Sequence, residues 1–193
     1  MTRVEFRGLQ QLIVYTIGHS TRTLQELVQL LTTNGIDLVA DVRRAPGSRR
    51  LSQFARAALA AELPTRDIGY MHLPELGGFR KARSDSVNTG WRNLSFRGYA
   101  DYMASQAFAA GIDRLLELAD AHTVAIMCAE AVPWRCHRSL IADALLARGV
   151  EVLDIISSTA PRPHRMTPFA IVGEDRIEYP SKPDELELPF ETP

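Results

Sequence analysis

Short apolar runs that alternate with helix-forming stretches constrain this chain more than anything else in it. Residues 12–17, LIVYTI, are apolar without alternation, the pattern of a strand buried on both faces. Gly18, His19 and Ser20 end the run. Thr23 and Glu26 then fit a capping box ahead of Leu24, Leu27, Val28, Leu30 and Leu31, which recur at helical spacing. Asn34-Gly35 supplies a stop for that helix, and residues 36–42, IDLVADV, give a second strand. A strand–helix–strand unit of this length is a parallel crossover.

The unit repeats. An alanine-rich helix spans 52–63 and closes at Pro64; a strand follows over 67–73. Ser95 caps a helix through 97–104, and Ser105 starts another that runs to about Ala121. A fourth strand covers 122–127, a helix 135–148, and a fifth strand 150–156, after the stop at Gly149. The expectation is a single three-layer α/β domain, Rossmann-like, over 12–170. Its five-stranded, mostly parallel sheet takes the order 3-2-1-4-5, because consecutive units usually neighbour and a doubly wound sheet reverses once. Seven of the eleven prolines lie from Pro161 onward, and acids dominate from Glu174, so 171–193 reads as a proline-rich acidic tail. No apolar stretch is long enough to span a bilayer and the start lacks a secretory pattern. Two cysteines make no disulfide framework. Together these predict a cytoplasmic chain with free thiols and no membrane partner.

Net charge is near zero but uneven. Arg43, Arg44, Arg49, Arg50 and Arg56 lie between Asp41 and Glu62 with no acid among them. Arg80, Lys81, Arg83, Arg92 and Arg97 follow against Asp85 alone. Such a basic middle either forms an ordinary solvated face or meets an anionic partner, a small molecule or a nucleic acid. The long stretch from Pro74 to Ser95 adds aromatics, and Trp91 among arginines can stack a base or simply pack. Tyr99 and Tyr102 fit helix docking better.

In an open parallel sheet, ligands bind beyond the carboxyl ends of the strands. Those ends carry His19 after the first strand, Asp41 and Arg43 after the second, and Cys128 and Glu130 after the fourth. Cys136, His137 and Arg138 begin the next helix. A helix start lowers a thiol pKa, so Cys136 is the stronger candidate nucleophile over Cys128, and Arg138 can grip a phosphate or carboxylate with two donors. Glu130, His19 and His137 are candidates for proton transfer. The bland alternatives are buried, packing cysteines and two ion pairs, Glu130 with Arg138 and Asp41 with Arg43. Cys128, Cys136, His137 and His19 are metal-ligand types. However, the spacing is not that of structural zinc sites, and adjacent Cys136 and His137 would diverge from one helix, so neither metal nor cofactor is expected. A thiol-phosphatase or sulfurtransferase loop fits poorly, since the segment after Cys128 has no glycine.

Four separated motifs, TIGHSTRTLQEL, DVRRAPGSRR, NTGWRNLSFRGYADYM and CAEAVPWRCHRSLIADAL, together with HRMTPFA at 164–170, resemble the bacterial and archaeal family catalogued as domain of unknown function 488. The resemblance runs from about Tyr15 to Phe169. It implies a compact three-layer α/β domain in the cytoplasm and carries no function with it. Its motif positions fall here on His19, Asp41, Arg43, Pro46, Ser48, Cys128, Glu130, Cys136, His137 and Arg138, which adds Ser48 to the substrate-binding candidates. The functional expectation is an enzyme acting on an anionic, phosphate-bearing substrate by Glu, His or Cys chemistry. The alternatives are a non-catalytic nucleic-acid-binding protein and a metal-binding or thiol-based sensor. Substrate, reaction and oligomeric state are not legible.

Overall fold

A computed structural model describes residues 11–47, 51–174 and 176–181. Five parallel strands build the central sheet: β1 (Ile13–Gly18), β2 (Leu38–Asp41), β3 (Gly69–His72), β4 (Val124–Cys128) and β5 (Glu151–Ile155). A two-residue antiparallel strand, β6 (Arg162–Pro163), adds to the β5 edge. Five helices connect them: α1 (Leu24–Thr33), α2 (Arg56–Glu62), α3 (Leu94–Tyr102), α4 (Gln106–Ala121) and α5 (Arg138–Leu146). A separate short hairpin, β7 (Ile171–Val172) with β8 (Ile177–Glu178), follows. No helix among the described residues is long and apolar enough to cross a membrane.

The strand side chains alternate between two cores, as the pleat requires. Val124, Ile126 and Cys128 join the core under α3, α4 and α5, with Tyr99, Ile112, Leu115 and Leu140. Ala125 and Met127 point the other way, to Leu27, Leu31, Leu59 and Leu63 of the α1 and α2 side. Each buried leucine of this kind contributes roughly 1.5–3 kcal/mol of transfer free energy. Local signals act as expected at α1: the Thr23–Glu26 capping box forms, and Gly35 adopts φ +65° just past the helix.

The strand order is β3-β2-β4-β1-β5-β6, which corrects the expected 3-2-1-4-5 and adds a sixth strand. The first crossover skips a place, and β4 fills it. Every residue of β4 is buried, so it belongs in the middle of the sheet, where neither face nor edge meets water. The consequence is functional: β4 ends with β1 on one side and β2 on the other.

Smaller departures have local causes. The 52–63 helix is broken at Ala55, which is extended, so that Phe54 can turn into the core; α2 begins only at Arg56. Asn93, not Ser95, caps α3, its side chain accepting from Ser95 N–H at 2.8 Å. In the segment read as tail, Tyr179 is fully buried and accepts a core position; the residues beyond 181 lie outside those described. What fastens this segment is a buried polar chain. Asp143 on α5 accepts from Tyr179 Oη at 3.0 Å and Thr167 N at 3.0 Å, and lies 3.4 Å from His164 Nε2. His164 Nδ1 is 2.9 Å from Asp154 on β5, which also accepts from Thr16 Oγ1 of β1 at 2.6 Å.

Candidate active site at the strand ends

The carboxyl ends of β1, β2 and β4 meet because of that strand order. His19 N donates to Cys128 O at 3.0 Å and Ser20 N to Ala129 O at 2.8 Å, so the segment leaving β1 continues to pair with the segment leaving β4. Gly18 makes this approach feasible: a Cβ there would sit 1.7 Å from Glu130 O. Beyond these ends lies a cleft of about 480 Å³. Of the sequence-based candidates it is lined by His19, Arg43, Cys128, Glu130, Cys136 and His137.

Cys128 and Cys136 are free, buried thiols at its floor. Cys136 precedes α5 in extended conformation after a 3₁₀ turn over Pro133–Arg135, while His137 is already helical. That change of backbone lets adjacent Cys136 and His137 reach the same point, which the assumption of one continuous helix excluded. His137 Nδ1 lies 3.7 Å from the Cys136 sulfur and 3.9 Å from that of Cys128. Its Nε2 is 3.0 Å from Val42 O. A carbonyl can only accept, so Nε2 carries hydrogen and Nδ1 of the neutral ring presents its lone pair to the sulfurs. Gly78 leaves room for the ring, since a Cβ there would stand 2.9 Å from Nδ1. The Cys136 thiol is held below the usual thiol range by the hydrogen bond it receives from Cys128, with the Arg138 charge adding to it against burial. Cys128 is pushed up for the complementary reason, as donor to Cys136, and by burial.

Arg138, first residue of α5, is 1% exposed. One of its nitrogens donates to Glu130 O at 2.8 Å, but Nε and the other terminal nitrogen have no partner among the described residues. Its contact with Glu130 is to the backbone, so the Glu130–Arg138 ion pair, the bland alternative for these two residues, does not form. The Glu130 carboxylate is exposed at the cleft. The helix start itself offers fewer free donors than a bare N-terminus, because Ser139 N bonds Cys136 O and Leu140 N bonds His137 O.

Asp41 and Arg43, by contrast, satisfy each other. The wholly buried Asp41 accepts from Arg43 Nε at 2.8 Å, from its NH2 at 2.6 Å, and from Tyr70 Oη at 2.6 Å. Arg43 also donates to Phe54 O, and its NH1 lies 3.1 Å from His19 Nε2. Since His19 Nδ1 lies 2.9 Å from Ser20 O, the ring is a neutral link with both nitrogens engaged. Burial and the Arg43 charge lower its pKa. Arg43 and His19 therefore brace the cleft wall. Trp91 is away from the cleft, stacked on Phe96 and edge-on to Phe169. Ser48 lies outside the described residues.

Two further cations line the cleft: Arg44, which the sequence places at the end of the second strand without a role, and Arg135, which sequence reasoning missed. Both are exposed and neither has an acidic partner among the described residues. Their signal was available: each directly adjoins a candidate residue. Phe96 and Tyr99 also line the cleft, through one edge of α3.

Among known proteins, the model of the family described as "Domain of unknown function DUF488" matches residues 23–145. No curated protein and no solved structure matches.

Proposed function

The chain belongs to the DUF488 family, and from that premise we propose that it is an enzyme acting on an anionic, phosphate-bearing substrate in the strand-end cleft. The observation that carries this reading is Arg138, a buried guanidinium bonded to the backbone of the lining residue Glu130, with two nitrogens lacking partners among the described residues. Buried guanidinium donors without partners are costly, and an incoming anion that accepts from them offsets that cost. Arg44, which donates to Phe79 O at 2.9 Å, and Arg135 add two exposed cations without an acidic partner among the described residues, while Asp41 is consumed by Arg43. Glu130 is the one carboxylate among the described lining residues.

The roles follow from position. Arg44 and Arg135 hold the anionic group, with planar forks suited to two oxygens. Arg138 contributes its field, strengthened by the low local dielectric. Glu130 has its carboxylate free to move a proton at the rim. Cys128, Cys136 and His137 face the position where the substrate reacts. Asp41, Arg43 and His19 keep the wall in place.

Titration with inorganic phosphate, nucleoside phosphates and a short oligonucleotide at low salt tests this. Phosphate-bearing small molecules should bind, and Arg135→Ala should weaken them by roughly 1.5–3 kcal/mol, the worth of a charge-assisted contact. Turnover of a bound substrate should collapse in Glu130→Gln with affinity retained. If no anion binds, or Arg135→Ala and Arg44→Ala both bind like the wild type, the reading is wrong. If only the oligonucleotide binds, steeply salt-dependent and without turnover, the non-catalytic nucleic-acid alternative replaces it.

A further inference from the structure

We propose that Cys128, Cys136 and His137 form a three-ligand site for a zinc-class divalent ion whose fourth position opens to the cleft. This goes beyond the anion reading and stands on different atoms. The two sulfurs and His137 Nδ1 all lie within 4.8 Å of one another, and the sulfur–nitrogen distances are 3.7 and 3.9 Å. A tetrahedral ion with sulfur at about 2.3 Å and nitrogen at about 2.0–2.1 Å sets sulfur and nitrogen about 3.5–3.6 Å apart. The side chains are therefore close to ligating positions, needing to draw in by only a few tenths of an ångström along those two edges.

The second support is the other side of the imidazole. A metal-bound histidine almost always donates its remaining N–H to a carbonyl or carboxylate, which fixes the ring and aims the ligating nitrogen. His137 does this with Val42 O at 3.0 Å. The ring is packed against Tyr99, centroids 5.0 Å apart, and against Gly78, so it is held rather than loose. Two thiolates and one imidazole are the donor set of a borderline-soft ion, not of magnesium or calcium.

No fourth protein ligand is present among the described residues. His19 Nε2 is engaged by Arg43, and no carboxylate belongs to the cluster. Three protein ligands and one open position are the arrangement of catalytic rather than structural zinc sites. Charge favours the same conclusion. Two thiolates cancel a dication, and nearby Arg138 leaves the centre with one net positive charge, which an anionic fourth ligand neutralises. Loading forms two metal–sulfur bonds and one metal–nitrogen bond, releases to solvent the proton that Cys128 donates towards Cys136, and oxidises nothing.

The test uses the full chain, stripped with a chelator under reducing conditions and titrated with Co²⁺ and then Zn²⁺. One Co²⁺ per chain should bind, with intense near-ultraviolet thiolate-to-metal charge transfer and visible bands of tetrahedral strength, and Zn²⁺ should displace it. Cys128→Ser and Cys136→Ser, each checked for native circular dichroism, should bind at least about 100-fold more weakly. Should either variant misfold, wild-type alkylation decides: stoichiometric Zn²⁺ should slow modification of both cysteines at least about tenfold. The proposal is overturned if no charge-transfer band appears, if the folded serine variants bind as tightly as the wild type, or if Zn²⁺ gives no protection. Phosphate binding by the metal-free protein is scored separately, so failure of the metal site and failure of the anion reading leave different signatures.

Discussion

Helix α5 buries a positive charge at its first residue, Arg138, and a negative one further along, Asp143, and the protein treats them in opposite ways. Asp143 accepts from a tyrosine hydroxyl and a backbone N–H and has an imidazole 3.4 Å away as its counter-charge, at ion-pair distance though without a formed hydrogen bond. Arg138 keeps one bond to a carbonyl and leaves two nitrogens without partners among the described residues. The first arrangement ties α5, β5, β1 and the C-terminal segment together. The second adjoins an open cleft through its bond to the lining residue Glu130. A buried polar group that is closed off serves the fold, and one left open marks a place where something else completes it.

Removing His164 should produce the largest effect on stability. Its ring separates Asp143 from Asp154, at 3.4 and 2.9 Å. Truncation leaves two buried carboxylates without their cation, so His164→Ala should cost roughly 3–5 kcal/mol in urea denaturation. A loss below about 1 kcal/mol would mean the two carboxylates are already satisfied without it, and the contrast with Arg138 would disappear.

The same cluster predicts a pH dependence. Burial disfavours the charged ring, but Asp143 and Asp154 overcome it and raise His164 to about 9 from an ordinary 6.5. A raised folded-state pKa means the unfolded chain gives up its proton first. The stabilisation is complete below about pH 6.5 and is lost as pH rises towards and through about 9. About 3 kcal/mol should go over that window, and the slope should vanish in His164→Ala. Denaturation midpoints that rise between pH 6.5 and 9 would contradict the charged clamp.

Much of this was legible in local sequence, and what was not depends on burial and neighbours. The β4–α5 segment announced its cluster because strand, loop and helix start are read from nearby residues: Cys128, Cys136 and His137 do meet. The strand order was not readable, since nothing local to IDLVADV says that another strand, more than eighty residues later, will separate it from β1. Asp41 and Arg43 looked like ligands for something else because sequence shows charge but not that Asp41 is wholly enclosed. His164 entered only as part of a family motif, and its partners Asp143 and Asp154 were passed over. Asp143 did carry a signal, an acid set among Leu140, Ile141, Ala144 and Leu145 in a helix buried nearly all round.

A milder cut at the clamp sharpens the comparison. Tyr179→Phe removes only the hydroxyl that donates to Asp143, keeping the ring and its backbone bond to Asn88. Loss of one hydrogen bond to a charged group should cost roughly 1.5–3 kcal/mol. Limited proteolysis should then cut within 160–181 faster than elsewhere, because that segment loses one of its fastenings. Uniform proteolysis, with stability unchanged, would show that the Tyr179 ring alone holds the segment.

The smallest expected effect on stability belongs to Arg138→Met, and it discriminates best between the two halves of α5. Methionine roughly preserves the length and apolar stem of arginine, so it leaves no large cavity. It gives up one hydrogen bond, to Glu130 O, worth about 1 kcal/mol or somewhat more because the donor is charged. Against this, it removes the desolvation cost of a guanidinium whose other nitrogens lack partners. The two contributions oppose each other, and the net change should fall within about 1 kcal/mol of zero, in either direction. Function should respond differently. With the buried cation gone, phosphate affinity should fall while the denaturation midpoint hardly moves. A stability loss as large as that of His164→Ala would mean Arg138 is already paired in the folded protein, and the open charge beside the cleft would have no basis.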